Sequence, residues 1–408
     1  MANSIEQQLE SILDGVEEFL PTKEDLRSRL ERKGSLRIKL GLDPTHTDLT
    51  LGHAVVLQKL RRFQDLGHTV VLIIGDFTAL VGDPSGRSKA RPQLTEEEIA
   101  AFGRTFADQA GHILDMSKVE LKHNSEWLAK LTMKDAIRLA QKITVSKMLE
   151  RQDFGTRYKN ETPIFVHEFL YALLQGYDSV AVKCDIEIGA TEQKFNLLMG
   201  REIMPDFGQE QQMVLMMPIL VGLDGTDKMS KSKGNYIALT DTPTDMFGKV
   251  MSIPDNIIGN YFRVLLERSE DEVAAMEKAM AGGENPMKFK LDLAEAVTAR
   301  FYTPEIGAQE RKGFQSAFSE RNMAAVAEEV ALVTEGELLD VLTTPIAQKV
   351  SLSALAGFKS RNELRKLILQ GGVRINGDKL VEPAVKVTLK PGDLVELGKK
   401  KAFRIVAP

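Results

Sequence analysis

The chain has 408 residues, 43% hydrophobic and 27% charged. That balance suits a globular protein of two or three domains with a large core, and excludes a disordered or fibrous chain. A single cysteine, Cys184, excludes an intramolecular disulfide and fits a reducing, cytoplasmic setting. Net charge is −5, unevenly spread: residues 351–408 carry 12 Lys+Arg against 5 Asp+Glu, and the other 350 residues carry 41 against 53. A basic tail end on an acidic body points to a polyanionic partner.

In chain order, "MANSIEQQLESILDGVEEFL" is acidic and amphipathic, without the basic start and apolar stretch of a signal peptide. No apolar run approaches the ~20 residues needed to span a bilayer, so no membrane partner is expected. "LRIKLGL" (36–42) reads as a strand. Residues 53–66 read as a helix, with Val56, Leu60 and Phe63 at i, i+4 and i+7 and Gly67 at the position after its end, where a left-handed residue is needed. "TVVLIIGD" (69–76) is a nearly all-apolar strand of the kind buried on both faces of a parallel sheet. Strand, helix and strand at this spacing make a βαβ unit. "VAVKCDIEIG" (180–189) and "MVLMMPILVG" (213–222) are further strands. Residues 1–240 therefore read as a doubly wound α/β domain. Residues 241–340 read as helical, 341–350 as a linker, and 351–408 as a small, basic α+β module.

Two stretches carry chemistry. Asp43-Pro44-Thr45 follows the first strand, where open α/β sheets bind ligands. The next helix begins at Gly52-His53, whose unpaired amide N–H groups and positive dipole end suit an anion. Glycine lets a phosphate or a base approach the backbone, and the imidazole adds a directed donor. The second stretch, "DGTDKMSKSKGN" (224–235), places Lys228, Lys231 and Lys233 among small polar residues after an apolar strand. A basic loop beside a helix-start anion site can clamp a triphosphate.

Together these residues resemble the class I aminoacyl-tRNA synthetases, whose signatures are His-Ile-Gly-His and Lys-Met-Ser-Lys-Ser. The second is complete from Lys228 to Ser232. The first reads Thr50-Leu51-Gly52-His53, with threonine for the first histidine. "YALLQGYD" puts Tyr171, Gln175 and Asp178 on one helix face and resembles the tyrosyl branch. The resemblance implies a Rossmann-like catalytic domain, a helical anticodon-binding domain at 241–340, and a C-terminal RNA-binding domain. It assigns the phosphates of ATP to Thr45, Thr50, His53, Lys228 and Lys231. It adds Asp43, Gly52, Glu192, Met229, Ser230 and Ser232 to the ATP site, and Arg87 and Arg91 to a phosphate-side loop. Thr78, Asp83, Asn124, Tyr171, Gln175, Asp178 and Gln193 would hold tyrosine. Tyr171 and Gln175 would take its ammonium, and Asp178 its phenol hydroxyl. Lys39 stands where the family often has a tyrosine.

"VSLSALAGFKSRNELRKLILQGGVRINGDKL" resembles an RNA-binding module appended to bacterial tyrosyl-tRNA synthetases. It offers Lys359, Arg361, Arg365, Lys366 and Arg374 to RNA phosphates. The implied partners are tRNA(Tyr), L-tyrosine, ATP with Mg²⁺, and a second copy of the chain, with no organic cofactor and no protein metal site. Three rivals remain open at this point. They are a tryptophanyl-tRNA synthetase, which usually lacks the module, a small-molecule nucleotidylyltransferase, and an RNA-binding protein that has lost catalysis.

Overall fold

The stretch that reads as strand, helix, strand forms all three elements in a computed structural model of the chain. The structure describes residues 4–85, 94–319, 327–332, 334–345, 351–358, 360–398 and 401–407. Six strands form one sheet: β1 (Glu18–Leu20), β2 (Arg37–Leu42), β3 (Thr69–Ile74), β4 (Val119–His123), β5 (Ile186–Ala190) and β6 (Met213–Met217). Their order is β1-β6-β5-β2-β3-β4. All neighbours are parallel except β1 and β6. This is the doubly wound topology, with the chain reversing its direction of growth between β2 and β5. The centre of the sheet is apolar because both faces are covered: Ile38, Val70, Val71, Leu72, Val214 and Leu215 have no exposure.

The helix α1 (Leu51–Asp65) starts at Thr50, its N-cap. It stops where Gly67 takes φ +86°, a conformation that favours glycine. The amides of Gly67 and His68 then bond back to Gln64 and Phe63. Helix α2 (Val166–Val182) carries Tyr171, Gln175 and Asp178. Here the structure corrects the sequence reading of 180–189 as a strand. The helix continues through Val182, Lys183 turns left-handed, and only 186–190 is extended. Val182 packs with Val71, Ile73 and Cys184, and that contact outweighs the strand preference of a β-branched residue.

By packing, the chain divides into Met1–Gly307 and Ala308–Pro408. Residues 243–319 are largely helical. The next stretch is not. Glu328–Ala331 is a strand parallel to Lys401–Val406, and Thr334–Glu337 is a strand antiparallel to Lys386–Leu389. A helix, Leu338–Thr343, buries Leu338, Val341 and Leu342 in one core with Leu364, Ile368 and Phe403. The described residues of 328–343 are thus structural parts of the basic module, although the sequence reading places them in the helical segment and the linker. Pairing to an existing strand edge decides the matter, not local propensity. Residues 346–350 of the expected linker lie outside the described residues. Among the described residues, no helix is long and apolar enough to cross a membrane.

Candidate active site

At the reversal point, the carboxyl ends of β2 and β5 open a cleft of about 570 Å³, an ordinary size for a small-ligand site. The residues the sequence singles out for nucleotide and amino acid converge on it. Asp43, Thr45, Thr50, Gly52 and His53 enter from the end of β2 and the start of α1. Thr78, Asp83 and Asn124 enter after β3 and β4, and Tyr171, Gln175 and Asp178 from α2. Glu192 and Gln193 follow β5, and Lys228, Met229, Ser230, Lys231 and Ser232 complete the wall. Arg87 and Arg91 lie outside the described residues.

One half of the cleft is built for anions. The lysine loop is stitched to the start of α1 through Leu51 N–H to Ile237 O (2.9 Å) and Leu239 N–H to Leu49 O (2.9 Å). Lys231 Nζ donates to Asp48 O at 2.5 Å and sits 5.1 Å from the centre of the Phe106 ring. Lys228 pairs with Glu192 at 2.5 Å. Asn235 fixes the loop by accepting from Ser230 N–H and donating to Lys228 O.

His53 Nδ1 accepts from Thr50 N–H at 3.1 Å and lies 2.9 Å from Thr50 Oγ1. An acceptor Nδ1 puts the ring proton on Nε2, the nitrogen turned away from Thr50. Burial, then Lys231 and Lys228, push the His53 pKa down to about 3, so the ring is neutral near pH 7. Thr50 itself is buried and meets the cleft beside His53. A Cβ on Gly52 would meet Thr50 Oγ1 at 3.4 Å and Met229 Cβ at 3.8 Å, which are ordinary contacts. Packing within the chain does not demand this glycine, whereas a ligand lying on the backbone would.

The other half is a polar pocket. Tyr171 O–H donates to Asp43 Oδ2 at 2.9 Å, and Thr78 Oγ1 donates to Asp43 Oδ1 at 2.8 Å. Asp43, assigned from sequence to the nucleotide, therefore joins the two halves. Gln193 Nε2 donates to Asp83 Oδ2 at 2.7 Å. Asp178 is 3% exposed. Its Oδ1 accepts from Trp127 Nε1 at 2.8 Å and its Oδ2 from Asn124 Nδ2 at 3.2 Å. Burial pushes its pKa up to about 7, against the opposing pull of Lys39, Trp127 and Asn124.

Three contributors, Trp127, Gly75 and Glu187, escape the sequence reading, as does the role of Lys39. Trp127 orients Asp178. Gly75 has no side chain because a Cβ there would run into the Asp43 carboxylate and Thr78 Oγ1. Lys39 and Glu187 form a buried ion pair at 2.9 Å, on register-partner positions of β2 and β5. A signal for that pair exists in the sequence: "KLG" and "EIG" put opposite charges two residues before a glycine, in two strands otherwise fit for burial. Among the described residues, no group of three or more His, Cys, Asp or Glu is placed to hold a metal.

The basic module has a different character. Arg365 and Lys366 are exposed on the helix Arg361–Leu369. Arg361 pairs with Asp340 and donates to Thr343 Oγ1. Arg374 faces Glu396 at 3.9 Å. Lys359 lies outside the described residues.

Comparison with known proteins follows the same lines. Residues 31–319 match the family described as tRNA synthetases class I (W and Y), and residues 351–395 match the S4 domain. The chain is 46% identical over 417 residues to the tyrosine–tRNA ligase of Symbiobacterium thermophilum, covering 99% of this chain and 98% of that one. It is 45% identical over 403 residues to that of Thermotoga maritima, covering 98% and 97%. Among solved structures, tyrosyl-tRNA synthetase from Archaeoglobus fulgidus, complexed with L-tyrosine, superposes with a TM-score of 0.63 at 26% identity. The match covers 76% of this chain and 100% of that one.

Proposed function

The chain belongs to the W and Y group of class I tRNA synthetases, and we infer from that premise that it ligates tyrosine to tRNA. It activates L-tyrosine with ATP, then transfers the tyrosyl group to the 3′ end of tRNA(Tyr) for protein synthesis. One observation in the structure supports the tyrosine reading above the others. The Tyr171, Gln175 and Asp178 face and the helix-start and lysine-loop wall meet in one cleft, in a chain similar end to end to tyrosine–tRNA ligases. A nucleotidylyltransferase needs no phenol acceptor, and an RNA-binding relic needs no neutral His53 beside Lys231.

In the mechanism we propose, a carboxylate oxygen of tyrosine attacks the α-phosphorus of ATP. The bond from that phosphorus to the bridging oxygen breaks, and pyrophosphate leaves. A hydroxyl of the terminal tRNA ribose then attacks the acyl carbon, and AMP leaves. No side chain becomes a covalent nucleophile. Positioning and charge stabilisation do the work. Thr45, after β2, and Thr50 and His53 Nε2–H, at the start of α1, serve the phosphates, and Gly52 gives the nucleotide access to the backbone. Lys228 and Lys231 close on the departing pyrophosphate, with Met229, Ser230 and Ser232 shaping the loop. Lys228 must first release Glu192, which then faces the ribose. Mg²⁺ travels with ATP as part of the substrate. Asp178 accepts from the phenol hydroxyl, and Tyr171, Gln175 and Asp83 surround the ammonium.

The reading extends to partners. The helical segment 243–319 contacts the anticodon region, and Lys359, Arg361, Arg365, Lys366 and Arg374 contact tRNA phosphates. The setting is cytoplasmic, in keeping with a lone, buried cysteine. The active form is a homodimer, and exposed apolar side chains support it: Met133 (77%) and Val166 (79%), with Ile137, Val145 and Phe165. Sedimentation at micromolar concentration should give the mass of two chains. The mass of one chain would remove the dimer from the proposal.

The function is tested by ATP–pyrophosphate exchange with each amino acid in turn, where only tyrosine should support rapid exchange. Truncation separates the steps. The cut belongs before Glu328, since a cut after residue 350 would strand two sheet pairings. Deleting 327–408 should leave exchange nearly unchanged and lower tRNA charging about tenfold or more, the scale of one or two lost charged contacts. Full charging by the shortened chain would deny the module its role.

A further inference from the structure

Beneath the amino-acid half of the cleft lies an ion pair that the mechanism does not use. Lys39 and Glu187 are 0% and 1% exposed. A pair buried this deeply adds little net stability, because desolvating both charges offsets their attraction. Its hydrogen bonds point to another use. Lys39 Nζ donates to the backbone carbonyl of Gln175 at 2.9 Å and to Ser179 Oγ at 2.7 Å. Glu187 Oε1 accepts from the side-chain Nε2 of Gln175 at 3.0 Å. Glu187 Oε2 accepts from Ser179 Oγ at 3.1 Å and from Gln212 Nε2 at 2.5 Å.

A side-chain amide has a donor end and an acceptor end, whereas an ionised carboxylate only accepts. Glu187 therefore takes the NH₂ end of Gln175 and turns the carbonyl end the other way. Gln175 lines the cleft. We propose that the Lys39–Glu187 pair is a positioning device that holds the Gln175 amide with its oxygen toward the cleft, where it receives a primary ammonium. The proposal rests on reading this half of the cleft as an amino-acid site.

Lys39 acts twice. It supplies the cation that lets Glu187 remain an acceptor, and it ties the Gln175 turn of α2 to β2. With methionine at position 39, the buried carboxylate loses its cation and the Gln175 backbone carbonyl loses its tie to β2, so the amide is no longer held in one sense. The amide can then present its NH₂ to the cleft, donor against donor. A ligand with an ammonium group loses an interaction. A ligand without one does not.

Calorimetry on the full-length protein compares L-tyrosine with 3-(4-hydroxyphenyl)propionate, which differs only in lacking the ammonium. In Lys39→Met, tyrosine should bind about 10- to 100-fold more weakly, the scale of one charged hydrogen bond, and the desamino acid within about threefold of wild type. Should Lys39→Met fail to fold, the pair Lys39→Met with Glu187→Gln removes both charges together. Two facing amides pair in either sense, so the same ammonium-selective loss is expected. Equal weakening of both ligands would mean a purely structural role and overturn the proposal, as would no change in either. A wild-type protein that fails to prefer tyrosine over the desamino acid would instead remove the underlying reading of the site.

Discussion

Replacing Lys231 by alanine lowers tyrosine-dependent ATP–pyrophosphate exchange by about 10²- to 10³-fold, the usual cost of losing one preorganised donor from a developing charge. The affinity for tyrosine stays as it was. The geometry behind this expectation is specific. The ammonium of Lys231 lies 2.5 Å from Asp48 O, on the loop edge stitched to the first turn of α1. It thus stands beside the helix-start amides and His53, on the anion side of the cleft, far from the Asp178 end in function. Its charge also helps to hold His53 neutral. A bond from Lys231 that forms fully only as pyrophosphate departs stabilises the transition state more than bound substrate. The loss should therefore appear in kcat, with the Michaelis constant for tyrosine unmoved. Arginine at this position should restore only part of the rate, since a planar fork does not replace a compact ammonium. Exchange within a few-fold of wild type in the alanine variant would mean that Lys231 never meets the leaving group.

Much of this site can be read from residue order because its parts are local. A helix start needs its cap and its glycine within four residues, and 50–53 supply both. A polar stripe at i, i+4 and i+7 names one helix face, and 171, 175 and 178 fall on it. Other features depend on strands brought together over long separations. Lys39 and Glu187 lie far apart in sequence, and only the β2–β5 register makes them partners. Trp127 looks like an ordinary core aromatic until the fold brings it to Asp178. The threonine at position 50 looks like a weakened phosphate ligand, and the sequence gives no hint that its backbone N–H and hydroxyl also meet His53 Nδ1. Two errors of element have a common cause. Residues 180–182 have a strand preference yet form helix, residues 328–331 and 334–337 read as part of the helical stretch before them, and in each case a tertiary surface decides: the Val71–Ile73–Cys184 cluster for the first, strand edges for the second. The six-stranded sheet suffers less, because all-apolar runs such as 70–74 and 213–217 tolerate little else.

Asp178 is where the largest change in specificity is expected. In Asp178→Ala, the preference for tyrosine over phenylalanine, measured as the ratio of kcat/KM values, collapses by several orders of magnitude. Discrimination of this kind reaches about 10⁵ in tyrosyl-tRNA synthetases, the family in which that figure was established. The reason is asymmetric. A carboxylate held by Trp127 and Asn124 has its remaining acceptor capacity directed into the cleft, and phenylalanine would bury it without a partner. Alanine removes that penalty and leaves the phenol hydroxyl unpaired, so tyrosine loses and phenylalanine gains.

The same carboxyl makes a pH signature. Burial raises its pKa to about 7, so in the free enzyme it is ionised above that value and protonated below. As pH falls through about 7, kcat/KM for tyrosine should fall with it, since that parameter reports the free enzyme. The value for phenylalanine should stay flatter. Stability runs the opposite way. The folded-state pKa lies above the unfolded value near 4, so the native chain holds an extra proton between about 4 and 7. This group's contribution to stability then declines as pH rises across that window. Asp178→Ala should flatten both profiles. A variant that still prefers tyrosine as strongly as wild type, with the pH dependence intact, would place phenol recognition on some other group.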